Sequence, residues 1–133
     1  MKLIINTDGG ARGNPGPAGI GVVIADAYGK VIALYKDYIG TASNNAAEYR
    51  ALILALHEAR RLGAETLIIN MDSELIVRQM QGRYKIKEPN LKVLAAEVLN
   101  LIKHFKNVAF RHVPREQNKR ADALVNQAID EAI

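Results

Sequence analysis

The chain contains no cysteine among its 133 residues. That excludes a disulfide framework and any thiolate metal site. It also fits a reducing compartment, with the cytoplasm as the expected location. No apolar run approaches the length that crosses a membrane, so no membrane partner is expected. The apolar stretch of the opening "MKLIINTD" is too short for a secretory signal. Internal repeats, low-complexity tracts and linkers are absent as well. Residues 1–133 are therefore read as one domain, of a length that buries a real core, and no obligatory protein partner is evident.

What is present is an ordinary globular composition, 49% hydrophobic and 24% charged. The formal net charge is +4 and the isoelectric point is about 9.4. A basic balance favours partners that carry phosphates, nucleic acid first among them.

The pattern of apolar residues predicts an α/β fold. "KLIINTD" reads as a strand ending near Asp8, and "AGIGVVIADAYGKVIALYKDYIG" as two strands joined at "DAYGK". A long helix is expected from about Asn45 to Leu62, stopped by Gly63. "ETLIINMD" is a fourth strand, apolar enough for burial on both faces. "SELIVRQM" and "NLKVLAAEVLNLIKHF" are helical, the second entered through Pro89. "NVAFRHV" is a fifth strand closed by Pro114, and a last helix runs from about Lys119 to Ala132. The first three strands suit an antiparallel meander. The later two, returning across helices, extend one edge into a mixed sheet.

Residues 6 to 21, "NTDGGARGNPGPAGIG", hold six of the ten glycines and two of the four prolines. The run lacks the G-x-x-x-x-G-K-[ST] spacing of a nucleotide-binding loop. Most of its glycines and prolines are expected to serve the turn between the first two strands.

Four carboxylates stand out by position. Asp8 and Asp72 end strands. Glu48, in the first turn of the long helix, shares a stripe with Ala51, Leu52, Ala55 and Leu56, and Asp122 shares one with Val125 and Ile129. An ionised carboxylate on a core-facing stripe is unfavourable unless its charge is offset, and no Lys or Arg lies on these stripes. Each acid has an ordinary alternative: a turn residue at Asp8, a capping box between Asn45 and Glu48, a helix cap at Asp72, a helix N-terminus at Asp122. Jointly they suit one end of a sheet, where two divalent cations would neutralise them. Without cysteine, oxygen ligands suit Mg²⁺ or Mn²⁺. Two such ions are equipped for phosphodiester cleavage.

The stretches "TDGGARGNPGPAGIG", "SNNAAEYRALILAL", "NMDSELIVRQM" and "REQNKRADALVNQA", in this order and spacing, resemble ribonuclease H of type 1 over essentially the whole chain. The resemblance implies a ribonuclease H-like fold, a five-stranded mixed sheet flanked by helices. It implies an Asp-Glu-Asp-Asp site at Asp8, Glu48, Asp72 and Asp122, with two Mg²⁺ or Mn²⁺ ions during catalysis. The implied reaction cleaves the RNA strand of RNA–DNA hybrids, leaving 5′-phosphate and 3′-hydroxyl ends. By the same resemblance Asn14, Asn44 and Asn45 lie at the hybrid's minor groove, where the 2′-hydroxyl marks RNA, and Ser43 helps hold a DNA phosphate. Gly9 and Gly10 let backbone lie close to substrate. Asn and Ser also cap helices, and Asn45 is expected to do both.

The chain departs from that pattern in two places. Many members carry a mobile histidine in the loop before the last aspartate. Here His112 lies in the strand pattern "VAFRHV", ahead of Pro114, and reads as structural or peripheral. Arg115 is better placed to reach the site. His57 and His104 read as exposed helix residues. The second departure is a missing basic insertion: "QMQGRYKIKEPNLKVL" passes directly into the next helix, leaving Arg83, Lys85 and Lys87 to touch DNA or to form a solvated turn. With no separate hybrid-binding domain in the sequence, grip is expected to be modest and salt-sensitive. A nuclease of this fold acting on double-stranded RNA, and a non-catalytic hybrid-binding module, remain open on sequence alone.

Overall fold

The computed structural model describes residues 1–133. Strand β1 runs Lys2–Ala11, β2 Gly16–Asp26 and β3 Val31–Ala42; helix α1 spans Asn44–Arg61. Then follow β4 Thr66–Met71, α2 Glu74–Met80, α3 Pro89–Ile102, β5 Asn107–His112, a short 3₁₀ turn Arg115–Gln117, and α4 Lys119–Ala132. The five strands form one sheet in the order β3-β2-β1-β4-β5. β1, β2 and β3 pair antiparallel, while β4 joins β1 and β5 joins β4 in parallel. This is the expected meander extended at one edge.

The β2–β3 connection turns at Ala27–Lys30. The Asp26 carboxylate accepts the Tyr28 and Lys30 N–H groups at 2.9 and 3.0 Å. Helix α1 starts one residue earlier than expected. Ser43 is its cap, with Oγ accepting the Ala46 N–H at 3.1 Å, so the role expected of Asn45 falls to Ser43. At the other end the Ala64 N–H bonds back to the Ala59 carbonyl at 3.1 Å and the Gly63 N–H to Arg60 at 3.0 Å. Gly63 takes the left-handed conformation that this C-terminal motif needs, φ +81°.

Ala47, Ala51, Leu52, Ala55, Leu56 and Ala59 form the buried stripe of α1. Of these, Leu52, Ala55, Leu56 and Ala59 pack with Leu3, Ile5, Val22 and Ile24 of the sheet, with Leu67, Ile69 and Met71 of β4, and with Leu91, Ala95 and Val98 of α3. Each of these large side chains contributes roughly 1.5–3 kcal/mol on burial. Truncating Leu52 or Leu56 to alanine would remove about 2–5 kcal/mol. Helix α4 covers the opposite face over Val23 through Ala121 and Leu124. That face is less complete: Ile68 is only half-buried, so β4 is not closed on both sides as its apolar run suggested.

The glycine-rich run serves packing as well as the turn, where Gly13 and Gly16 stand. β1 continues to Ala11, past Asp8, and only residues 12–15 form the connection to β2. Gly9 and Gly21 serve the packing. A Cβ on Gly9 would stand 2.3 Å from the Ala47 carbonyl of α1, and one on Gly21 2.4 Å from the Ala121 carbonyl of α4. Their bare backbone lets one helix settle on each face of the sheet. Two further boundaries also differ from expectation. Ser73, not Asp72, caps α2, accepting the Ile76 N–H at 3.3 Å. α3 ends at Ile102, which leaves His104 in an exposed turn rather than on a helix.

Candidate functional site

The parallel ladder between β1 and β4 ends at the pair Asn6–Asn70. Beyond it the two strands part, and side chains satisfy the freed edge of β1. The Thr7 carbonyl accepts the Asn118 amide at 2.9 Å, Glu48 Oε1 accepts the Gly9 N–H at 2.9 Å, and Asn44 Oδ1 accepts the Ala11 N–H at 2.8 Å. Such a split at the carboxyl ends of parallel strands makes a crevice. Here it opens into a cleft of about 560 Å³ lined by Asp8, Glu48, Asp72, Asp122, Arg115 and Asn45, among others.

Asp8 enters from β1, Asp72 from the residue just after β4, and Glu48 from α1. One carboxylate oxygen of each lies within 4.8 Å of the others. Asp8 and Glu48 are buried, each only 7% exposed. The Asp8 carboxyl is pushed up from 3.8 to about 8, first by burial, then by the charge of Asp72 and by the hydrogen bond and charge of Asp122; the Gly9 N–H pulls the other way. Glu48 is raised well above the usual carboxylate range by burial, Asp8 and Asp72, again against the Gly9 N–H. Burial also raises Asp72, while a hydrogen bond from Asn118 and the charge of Arg115 oppose the rise.

Asp122 lines the cleft on the same face as Val125 and Ile129, as expected, but at its rim. Val125 and Ile129 are buried, but the Asp122 side chain, one turn nearer the helix start, keeps 35% of its exposure at the cleft rim. Arg115 Nη2 approaches its Oδ1 at 4.0 Å and is itself 81% exposed. His112 sits at the end of β5, with Nδ1 3.8 Å from Glu74 Oε2 on α2. It is no part of the cleft lining.

The asparagines at the cleft mouth are mostly committed to the protein. Asn14 Oδ1 accepts the Asn44 N–H at 3.0 Å, and the Asn44 side chain holds Ala11. Asn45 lines the cleft with its amide free of protein hydrogen bonds. Gly9 and Gly10 line it too, although the glycine at position 9 answers to α1 packing. Arg83, Lys85 and Lys87 are exposed between α2 and α3, with no inserted helix between them.

Three residues beside the site escaped the sequence reading. Asn6, Asn70 and the almost fully buried Asn118 are hydrogen-bonded to one another, and Asn118 also bonds Asp72. The signal available was the repeated spacing Asn-x-Asp, at Asn6–Asp8 and Asn70–Asp72. No helix is long and apolar enough to cross a membrane.

A family model described as reverse transcriptase-like matches residues 6–128. The bifunctional protein Rv2228c of Mycobacterium tuberculosis is 47% identical over 99% of this chain, which spans only 36% of that relative's length. Ribonuclease HI of Halobacterium salinarum is 42% identical over 94% of this chain and 63% of its own. The crystal structure of LC11-RNase H1, isolated from compost by a metagenomic approach and solved in complex with RNA/DNA hybrid, superposes with a TM-score of 0.94. It is 53% identical, over 98% of both chains. By these measures the chain belongs to the type 1 ribonuclease H family.

Proposed function

We propose that residues 1–133 act as a single catalytic domain that hydrolyses the RNA strand of RNA–DNA hybrids endonucleolytically. The products are 5′-phosphate and 3′-hydroxyl ends, the cofactors two Mg²⁺ or Mn²⁺ ions, and the setting the cytoplasm. One observation carries this reading: three carboxylates from three separate elements meet within 4.8 Å. Family membership supports it, and LC11-RNase H1, so similar to this chain, was solved with hybrid bound.

The residues fit a divalent pair. Their donors are carboxylate oxygens, the ligand type that hard cations take. The Asp8 carboxyl, held near 8 by burial and by its acidic neighbours, has no buried cation beside it, so a bound cation would relieve the repulsion. Asp8, Glu48 and Asp72 would hold the ions, with Asp122 closing the site from the rim. When bound, such ions activate a water and stabilise the leaving oxygen.

The chain's own groups do the rest. Glu48 is oriented by the Gly9 N–H. Asn45 offers a free amide to a ribose 2′-hydroxyl, while Asn14 and Asn44 hold the groove wall that presents it. Ser43 helps hold a DNA phosphate, and the backbone at Gly9 and Gly10, which line the cleft, lies close to the substrate. A guanidinium only donates hydrogen bonds and keeps its protons, so Arg115 does not shuttle one. It stabilises developing negative charge or eases product release.

A cleavage assay tests this with labelled hybrid, double-stranded RNA and double-stranded DNA, each with Mg²⁺, with Mn²⁺ and with chelator. The expected result is cutting of the hybrid's RNA strand alone, only with metal, leaving 5′-phosphates. An intact hybrid, or equal cutting of double-stranded RNA, overturns it.

A further inference from the structure

Beneath the acids lies a chain of amides in which every hydrogen bond runs the same way. Arg111 Nε on β5 donates to Asn70 Oδ1 at 3.1 Å; Asn70 Nδ2 on β4 donates to Asn6 Oδ1 at 3.2 Å. Asn6 Nδ2 on β1 donates to Asn118 Oδ1 at 3.1 Å, and Asn118 Nδ2 donates to the Thr7 carbonyl at 2.9 Å. Asn6 also reaches the Gln117 carbonyl at 3.3 Å.

Register explains the alignment. Asn6 is paired with Asn70, and Asn70 with Arg111, across the parallel ladders. Asn6 and Asn70 each stand two residues before an acid, Asp8 and Asp72, and so on the same sheet face as that acid's strand position. The direction is also determined. A guanidinium only donates, so Arg111 obliges Asn70 to present its oxygen, and each following amide inherits its orientation. Bonds aligned in this way polarise one another. The last amide, Asn118, is only 1% exposed. It fills the gap where β1 and β4 part, and its carbonyl accepts the Asp122 N–H at 3.1 Å to begin α4.

We propose that Asn118 is a positioning residue: locked by the directed chain from Arg111 through Asn70 and Asn6, it sets the Asp122 carboxylate against Asp8 and Asp72. This rests on the function proposed above. Asn118, together with Asn6, which also holds the Gln117 carbonyl, ties the start of α4 to β1 beside the two acids. Residues that orient a metal ligand from behind affect binding and turnover together.

The test uses the Asn118→Ala and Asn6→Ala variants of the full chain. Asn6 is only half-buried, and its loss leaves the Asn118–Thr7 bond in place, so Asn6→Ala carries the test if Asn118→Ala does not fold. Turnover and KM are measured on hybrid, and Mn²⁺ affinity by calorimetry on the same folded samples. The expected result for Asn118→Ala is a fall of about 10–100-fold in kcat and in Mn²⁺ affinity, with KM for hybrid within about twofold of the parent. Asn6→Ala should move the same quantities in the same direction, less far. A folded variant that loses only melting temperature, with kcat and Mn²⁺ affinity unchanged, overturns the proposal. If the parent binds Mn²⁺ but leaves hybrid intact, the proposed function fails while calorimetry still decides the role of Asn118.

Discussion

Glu48 Oε1 accepts the Gly9 N–H at 2.9 Å, a bond between positions 39 apart in the chain. It exists because α1 rests on the bare backbone of Gly9, where a Cβ would meet the Ala47 carbonyl at 2.3 Å and the Glu48 nitrogen at 2.5 Å. Backbone cannot swing aside as a flexible side chain does. Gly9→Ala should therefore lose about 3 kcal/mol, near the upper end for overpacking, and should displace Glu48. Gly10→Ala, whose Cβ would meet Val125 at an ordinary 3.7 Å, should lose under ~1 kcal/mol. Urea unfolding of the two variants checks this, and equal stability would contradict it.

The raised carboxyls make the metal-free protein sensitive to pH. Asp8 titrates near 3.8 when unfolded and near 8 when folded. Between those values the folded state keeps a proton that the unfolded state has lost, so stability falls as pH rises through that window. Raised Glu48 and Asp72 act in the same sense. Without metal, the melting temperature should be highest in weak acid and decline toward about pH 8. Mg²⁺ should restore it most at the alkaline end, where it no longer competes with protons. Calorimetric scans with and without chelator measure this. A melting temperature that climbs steadily from pH 4.5 to 8 without metal would contradict it.

Arg115→Ala should slow turnover by ~10–100-fold, at or below the range for a single electrostatic donor. His112→Ala should leave it nearly unchanged, since His112 faces Glu74 outside the cleft. Neither variant should remove a rate inflection near the usual histidine pKa of about 6.5. Turnover against pH for both decides the matter. Collapse in folded His112→Ala, with Arg115→Ala near normal, would reverse the assignment.

Asn45→Ala should reduce cutting per folded molecule while sparing the melting temperature, because Ser43 rather than Asn45 caps α1. Deoxyribose in place of ribose around the scissile bond should stop cutting there. If Asn45→Ala loses stability and keeps its activity, its role is structural.

Much of this was legible from pattern. Alternation at "KLIINTD" and "NVAFRHV" located strands, and the stripe beside Glu48 located the face of α1 that meets the sheet. Asp8, Glu48 and Asp72 come together at one end of the sheet, as strand ends and stripe jointly implied, and Asp122 lines the same cleft. The rim position of Asp122 was not legible, because helical periodicity fixes a face but not how far the sheet extends beneath it. Two glycines misled for a related reason. Local rules assign glycine to turns, whereas Gly9 and Gly21 answer to helices packed from distant parts of the chain. Asn118 was the least legible. Its importance depends on where β1 and β4 separate, a tertiary fact hinted at only by the repeated Asn-x-Asp.

The central claim is that these carboxylates perform metal-dependent cleavage of RNA in a hybrid. Its most direct test compares Asp8→Asn and Asp72→Asn with the parent on labelled hybrid in Mg²⁺ and Mn²⁺, with folding verified by circular dichroism. Both variants should stay folded and melt no lower than the metal-free parent near pH 8, since each removes a repelling charge. Both should lose cleavage by at least about 10²–10³-fold, no less than the loss of one electrostatic group. Near-parental cutting by either folded variant would contradict the account.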